Sequence, residues 1–393
     1  MKKLLFLFLI FFNSPNLLSE IYTEHYGEVE ISSTFFSKDI PNDNRKNYLN
    51  SVRLEYNYFF ENNNLSGKIK IDAKESDPNS SSNINFNEAY LDYSLSDMNV
   101  LIGNNIIFWG KNEFFNPVDV INSKDFSSGL AIGKKIGQPM INLKKYLSSS
   151  ELDFYILPSQ SNIYPKSDIR SQQSLNISSS NLYSKGADNN NIGIALRWSG
   201  YLNEYDYGLS YYKGNTKDPA FNVVSNTLVP NYSEITQIGL DLQATKGDYL
   251  FKGEIISRSN QYNANGIIEE YQGSILGIEH SLYGVFEKNW DLANIIEYSS
   301  DSRGSKSHHG FQNDLFYGAR LVLNNIEDTQ YFLSIQSDLE KNSRALTFNY
   351  ESRFLSQIRG GIDIYLPLNL EEDIHQSSFK DENNIKVYSS YSF

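Results

Sequence analysis

The chain has 393 residues, a net charge of −13 at pH 7, no Cys, 3 Met, and a heavy aromatic load of 28 Tyr and 24 Phe. The lack of Cys excludes disulfides, zinc–thiolate sites and all-Cys iron–sulfur centres. The acidic balance argues against a nucleic-acid partner, because phosphate backbones need clustered Lys and Arg.

At the N-terminus, Met1-Lys2-Lys3 is basic, Leu4 to Phe12 is an unbroken run of Leu, Phe and Ile, and Asn13-Ser14-Pro15 breaks that run. Ser19 offers a small residue before a cut at Glu20. This is the layout of a secretory signal peptide over residues 1–19, leaving 20–393 as one domain. The apolar run is too short to span a membrane as a helix, which takes about 20 residues. No later segment reaches that length and apolarity, so a helical-bundle membrane protein is excluded.

From Glu28 onward the pattern has period two. Val29, Ile31, Ser33 and Phe35 share one face, against Glu28, Glu30, Ser32 and Thr34. Val52, Leu54, Tyr56, Tyr58 and Phe60 oppose Arg53, Glu55 and Asn57, and Gly67, Ile69, Ile71 and Ala73 oppose Lys68, Lys70, Asp72 and Lys74. Strict alternation predicts strands with one apolar and one polar face. The predicted strands are 24–37, 48–60, 65–75, 84–96, 98–107, 137–146, 150–158, 191–199, 204–213, 234–246, 249–259, 271–283, 290–300, 312–323, 329–339, 343–351, 357–366 and 385–393. Most are longer than soluble strands of about 5–6 residues and match the 9–11 or so of a tilted membrane strand. Charges at their centres would be costly against a dry core but not against water. The connections alternate short (61–64, 97, 147–149, 200–203, 247–248) with long (38–47, 108–136, 159–190, 214–233, 367–384), with a short exception at 340–342. The expected fold is all-β: a transmembrane antiparallel β-barrel of about 18 strands, with 16 as the alternative count. Short periplasmic turns and long external loops complete the plan.

The connection 108–136 departs from alternation. Its first part, 108–126, carries Trp109, Phe108, Phe114, Phe115 and Phe126 with several Val and Ile. Exposed, it would form a large apolar patch, so it is expected to fold inward against the barrel wall and narrow the pore. Asn116-Pro117 would turn the chain. Lys111, Glu113, Asp119, Lys124 and Asp125 would supply charge at the constriction, and Trp109, Phe114 and Phe115 could contact a ligand. The competing reading makes Trp109 an interfacial belt residue and the rest an outer cap.

Leu101-Ile102-Gly103-Asn104, Trp109-Gly110-Lys111, Asn116-Pro117-Val118-Asp119-Val120 and Asp125-Phe126 together resemble a family of uncharacterised proteobacterial outer-membrane proteins with a Trp-Gly…Asn-Pro-x-Asp segment. Residues 139–158 and 192–214 extend the match, which covers roughly 90–220. Asn104-Asn105 stands where the family commonly has Lys or Arg followed by Gln, and Ser123 where it often has a second Pro. The resemblance implies a barrel in the outer membrane and assigns no cargo. A weaker similarity to alginate-export-like barrels would call for a basic interior. The predicted inward charges are instead mixed, with Arg53, Lys68, Lys70, Arg197, Arg258, Arg320 and Arg359 among many carboxylates.

His308-His309 falls in the predicted loop 301–311. Adjacent side chains on an extended chain point apart, so no metal site is expected there. None of the five His sits in a catalytic arrangement, so neither an enzyme nor a cofactor is expected. Gly360-Gly361 reads as a strand position of close packing. The last strand carries Ile385, Val387, Tyr391 and Phe393 on one face and resembles the terminal signal read by the barrel assembly machinery. The expected protein is a porin-like channel in the Gram-negative outer membrane, contacting lipid and passing small-molecule solutes. Its alternatives are a dedicated transporter of an apolar or polysaccharide cargo, and a structural or adhesive barrel. A homotrimer would require an outer apolar stripe broader than lipid alone demands.

Overall fold

The computed structural model describes residues 21–38, 47–77, 81–125, 134–158, 176–178, 180–225, 227–370 and 380–393. The signal-peptide reading and most of the loops 38–47 and 159–190 lie outside them.

The barrel strands are β1 (Tyr22–Phe36), β2 (Tyr48–Asn62), β3 (Leu65–Asp77), β4 (Ser81–Ser94), β5 (Met98–Asn105), β6 (Gln138–Tyr146), β7 (Ser150–Leu157), β8 (Gly193–Leu202) and β9 (Tyr205–Asn215). They continue as β10 (Thr227–Lys246), β11 (Tyr249–Tyr262), β12 (Ile268–Val285), β13 (Trp290–Asp301), β14 (Asn313–Val322), β15 (Gln330–Asp338), β16 (Arg344–Leu355), β17 (Ile358–Leu368) and β18 (Asn384–Ser392). Each pairs antiparallel with its chain neighbours, and β1 closes on β18 from Glu28↔Ser392 to Phe36↔Asn384. The result is a closed 18-strand barrel, which removes every barrel edge and eliminates the sixteen-strand alternative.

The alternation explains which way each strand faces. On β8, Ile194, Leu196 and Trp198 are exposed while Ala195 and Arg197 between them are buried. On β10, Ile238, Leu240 and Leu242 are exposed while Gln237, Gly239 and Asp241 are buried. An exposed apolar row around a closed barrel is a lipid-facing surface; the polar rows therefore point inward. Tight turns use residues that tolerate positive φ, such as Asn63, Asn203 and Gly247.

Aromatic side chains cover glycines on neighbouring strands. A Cβ at Gly27 would lie 2.4 Å from the Phe393 ring, one at Gly67 2.4 Å from Phe60, and one at Gly360 2.8 Å from Phe354. Gly360 and Gly361 are thus close-packed positions, Gly361 against the Tyr350 carbonyl at 2.4 Å.

One expected loop is partly strand. Within 214–233, Ala220–Val224 pairs antiparallel with the first part of β10, which starts at Thr227 rather than near residue 234. Short segments Asn176–Ile177 and Leu182–Ser184 add parallel to the same extension.

Candidate functional site

The segment between β5 and β6 lies against the inward rows of β10 to β14. Its backbone amides, which form no regular structure of their own, are satisfied by two wall carboxylates. Glu254 on β11 accepts from the amides of Lys111 (2.8 Å), Asn112 (3.2 Å) and Val118 (3.4 Å), and from Asn112 Nδ2 (3.0 Å). Glu297 on β13 accepts from the amides of Glu113 (2.7 Å) and Phe114 (2.9 Å). Gln237 on β10 donates to the carbonyls of Pro117 and Val118 at 3.4 Å. A buried amide without an acceptor is costly, and a carboxylate that accepts several is a strong anchor.

Packing supplements these bonds. Trp109, Val118, Val120 and Ile121 are buried with Leu101, Met140, Tyr155, Ile235 and Ile256 of the wall. Trp109 sits edge-on to Tyr155 and under the Arg197 guanidinium. Two wall glycines give the segment room: a Cβ at Gly239 would come within 3.1 Å of Val118, and one at Gly277 within 2.7 Å of Asn112 Oδ1. Phe114 stacks on Phe316 at 4.5 Å and meets Phe311 edge-on, and Phe115 packs on Phe311 and His309.

The sequence-predicted residues divide into two groups. Trp109, only 2% exposed, and Asp119 are buried in the packing of the segment itself, not on an open surface. Asp119 clamps Lys135 at 2.6 Å and accepts from the Trp109 amide, while Lys135 also donates to the Ile107 carbonyl. Each is engaged in holding the segment together. Lys111, Phe114, Phe115 and Lys124 remain half-buried, and Glu113 is exposed and paired with Arg320. Lys124 and Asp125 form a short antiparallel pair with Lys134 and Lys135.

The inward charges form a paired lattice. Arg53 bridges Glu55 and Asp72, Lys70 meets Glu55 at 2.8 Å, and Lys68 meets Glu88 at 2.8 Å. Arg197 and Asp241 pair at 2.8 Å, Arg258 binds Gln237 at 2.7 Å, and Arg359 reaches Glu351 and Asp328. Lys134 interacts electrostatically with Glu30, Arg53, Glu55 and Asp72, which relates the segment to the β1–β3 wall as well.

Sequence reasoning missed buried apolar residues on the inward rows of β11 to β13, of which Ile256 packs with the segment. The signal was present as adjacent apolar pairs that break alternation: Ile255-Ile256, Ile275-Leu276 and Ile295-Ile296. In each pair one residue is exposed outward or partly so, and Ile256, Ile275 and Ile295 are buried on the inner side.

His308 and His309 do not diverge. The chain turns at Ser307, whose hydroxyl bonds both the amide and the carbonyl of His309, and the two rings meet edge-on at 4.7 Å. With Asp301 they form the one group of potential metal ligands among the described residues. Arg303 already occupies it: its guanidinium binds Asp301 through Nε (2.9 Å) and a terminal nitrogen (2.5 Å), and donates to His308 Nδ1 (2.7 Å). A guanidinium has only donors, so His308 Nδ1 is the acceptor. His309 Nδ1 accepts from the Phe311 amide at 3.2 Å, leaving its Nε2 proton directed at Asp301.

No family model matches the chain, and no curated protein matches it. Solved structures do. The chain is similar to Pseudomonas aeruginosa OccK2 (OpdF), solved in complex with glucuronate, at 8% identity over 94% of this chain and 98% of that one, with a TM-score of 0.55. It is similar to Pseudomonas aeruginosa OccK8 (OprE) at 10% identity over 94% and 98%, with a TM-score of 0.54. A mutant of the Rh. blastica porin aligns at 9% identity over 95% and 100%, with a TM-score of 0.46. At these identities the likeness concerns the fold, that of outer-membrane porin barrels.

Proposed function

We propose that this protein is an outer-membrane diffusion channel for small solutes, narrowed by the segment 108–126. One observation carries the reading: five consecutive or near-consecutive amides of that segment are received by Glu254 and Glu297, carboxylates on the inward rows of the wall. A loop fixed there occupies cross-section that a bare barrel of this strand number would leave to water. The paired lattice of Arg53, Lys68, Lys70, Arg197, Arg258, Arg320 and Arg359 with its carboxylates gives the interior a wet, mixed-charge surface. Lys111, Glu113, Phe114, Phe115 and Lys124 are the side chains left to meet a solute.

The barrel's apolar exterior supports residence in lipid, with export by a cleaved leader and insertion by the assembly machinery through the Phe393 strand. We place the chain with the uncharacterised outer-membrane family on the Trp109-Gly110 and Asn116-Pro117-Val118-Asp119 motifs.

A second reading has its own observation. Phe114, Phe115, Phe311 and Phe316 form one aromatic group at the tip of the segment, a surface suited to a specific apolar cargo.

Single-channel conductance of the refolded chain in a planar bilayer, with and without residues 108–126, tests the first reading. Stable open steps that enlarge on deletion are expected; no conductance in either form would overturn it. Loss of one cargo with unchanged ion flow in Phe115→Ala would favour the second.

A further inference from the structure

The connection between β13 and β14 is tied down by a charged network of its own. Arg303 is held by both oxygens of Asp301 and lies over the Tyr271 ring at 3.6 Å. From that position it donates to His308 Nδ1. On its other side His308 faces Asp218, from the β9–β10 connection, at 3.6 Å, and Tyr271 of β12 edge-on. Arg258 of β11 stands 3.5 Å from the same Asp218, and His309 abuts both His308 and Asp301. The connection then continues into His309 and Phe311, the rings that cover Phe115 and Phe114.

We propose that the Arg303–His308 contact is a proton-operated latch: intact at neutral pH, it holds the 302–312 connection over the tip of the 107–125 segment, and protonation of His308 releases it. The chemistry is local. Nδ1 can accept from Arg303 only while it has a lone pair. A proton there removes the acceptor and sets an imidazolium against a guanidinium that Asp301 already fixes in place. Asp218 alone could compensate, and it is shared with Arg258. The cheapest relief is for the connection to lift, carrying Phe311 off Phe114.

The energetics favour neutrality in the latched state. Burial pushes the His308 imidazole down from 6.5 to about 3. A released His308 titrates normally, so below pH 6.5 the released form gains about tenfold per pH unit over the latched one.

The test uses the full refolded chain with nitroxide labels at Lys306→Cys and Glu340→Cys, which are unique because the chain has no Cys. His308→Asn keeps an oxygen acceptor for Arg303 but cannot titrate. A narrow label–label distance distribution at pH 7.5 that broadens by pH 4.5, and stays narrow in His308→Asn, is the expected result. Equal broadening in both proteins, or none in either, overturns the latch. The same pair in a planar bilayer should show an acid-dependent conductance change confined to the wild type. That arm rests on the channel reading and the label arm does not, so the two can fail separately.

Discussion

Glu254 and Asn112, far apart in sequence, meet through two hydrogen bonds: the Glu254 carboxylate receives both the amide and the side-chain nitrogen of Asn112. The same carboxylate takes the amides of Lys111 and Val118, so one buried side chain organises a turn that no regular structure supports.

Glu254→Ala should therefore free the segment. Each hydrogen bond to a charged acceptor contributes about 1.5–3 kcal/mol net, and stranded amides add their own cost. Glu254→Gln, with one acceptor oxygen in place of two, should be intermediate. Hydrogen exchange of residues 111–118 is the direct measurement, with protection falling from wild type through Gln to Ala. Unchanged protection in the Ala variant would mean that packing alone holds the segment.

Asp241 and Arg197 make the neighbouring anchor. A Cβ at Gly208 would sit 2.2 Å from the guanidinium and 2.5 Å from Asp241 Oδ2, so the glycine is what makes room for the pair. Removing one partner of a buried pair costs about 3–5 kcal/mol. Asp241→Asn should lower the urea midpoint of the folded barrel, and Gly208→Ala should do the same by displacing the pair. Since Arg197 also covers Trp109, Trp109 fluorescence should respond in both variants.

The wall of this protein was legible because lipid outside and water inside impose opposite demands on alternate residues, and the chain obeys both. All the predicted strands appear in order, with ends shifted where pairing continues past the alternating run, as in β10 and β12. The interior was less legible. Trp109 and Asp119 looked like solute contacts because aromatic and charged residues in a long loop invite that reading. Their burial depends on wall residues distant in sequence, Tyr155 and Arg197 for Trp109, and on a hairpin partner, Lys135, for Asp119. Ile256 is buried on the inward row while its neighbour Ile255 fills the outward position, a doubling that strict alternation does not foresee. His308 and His309 would point apart only on an extended chain, and Ser307 turns the chain there.

Closure offers a double-mutant test. Gly27 and Phe393 exchange backbone hydrogen bonds at 2.9 Å, and the Phe393 ring lies over the glycine. Gly27→Val forces the ring aside, at a cost of about 1–3 kcal/mol for overpacking. Phe393→Ala should be destabilising alone yet should reduce the penalty of Gly27→Val when combined with it. The fraction of barrel that resists unfolding on a cold SDS gel reads both. Strictly additive losses would show that the ring and the glycine are not coupled.

The titration of His308 predicts a pH dependence with a definite sign. Its folded value, about 3, lies below the free value of 6.5, so between those limits the released chain binds a proton that the latched chain does not. Stability of the 302–312 connection is then full above pH 6.5 and falls as pH drops, by about 1.4 kcal/mol per unit at most. Hydrogen exchange of these amides, corrected for intrinsic chemistry, should lose about tenfold protection per pH unit below 6.5. In His308→Asn that slope should vanish while protection at pH 7.5 stays near wild type. Arg303→Gln separates charge from hydrogen bonding: it keeps a donor for His308 but removes the cation, so protonation meets no repulsion and the slope should shrink. A slope equal to wild type in Arg303→Gln would place the proton's effect on Asp218 or His309 instead.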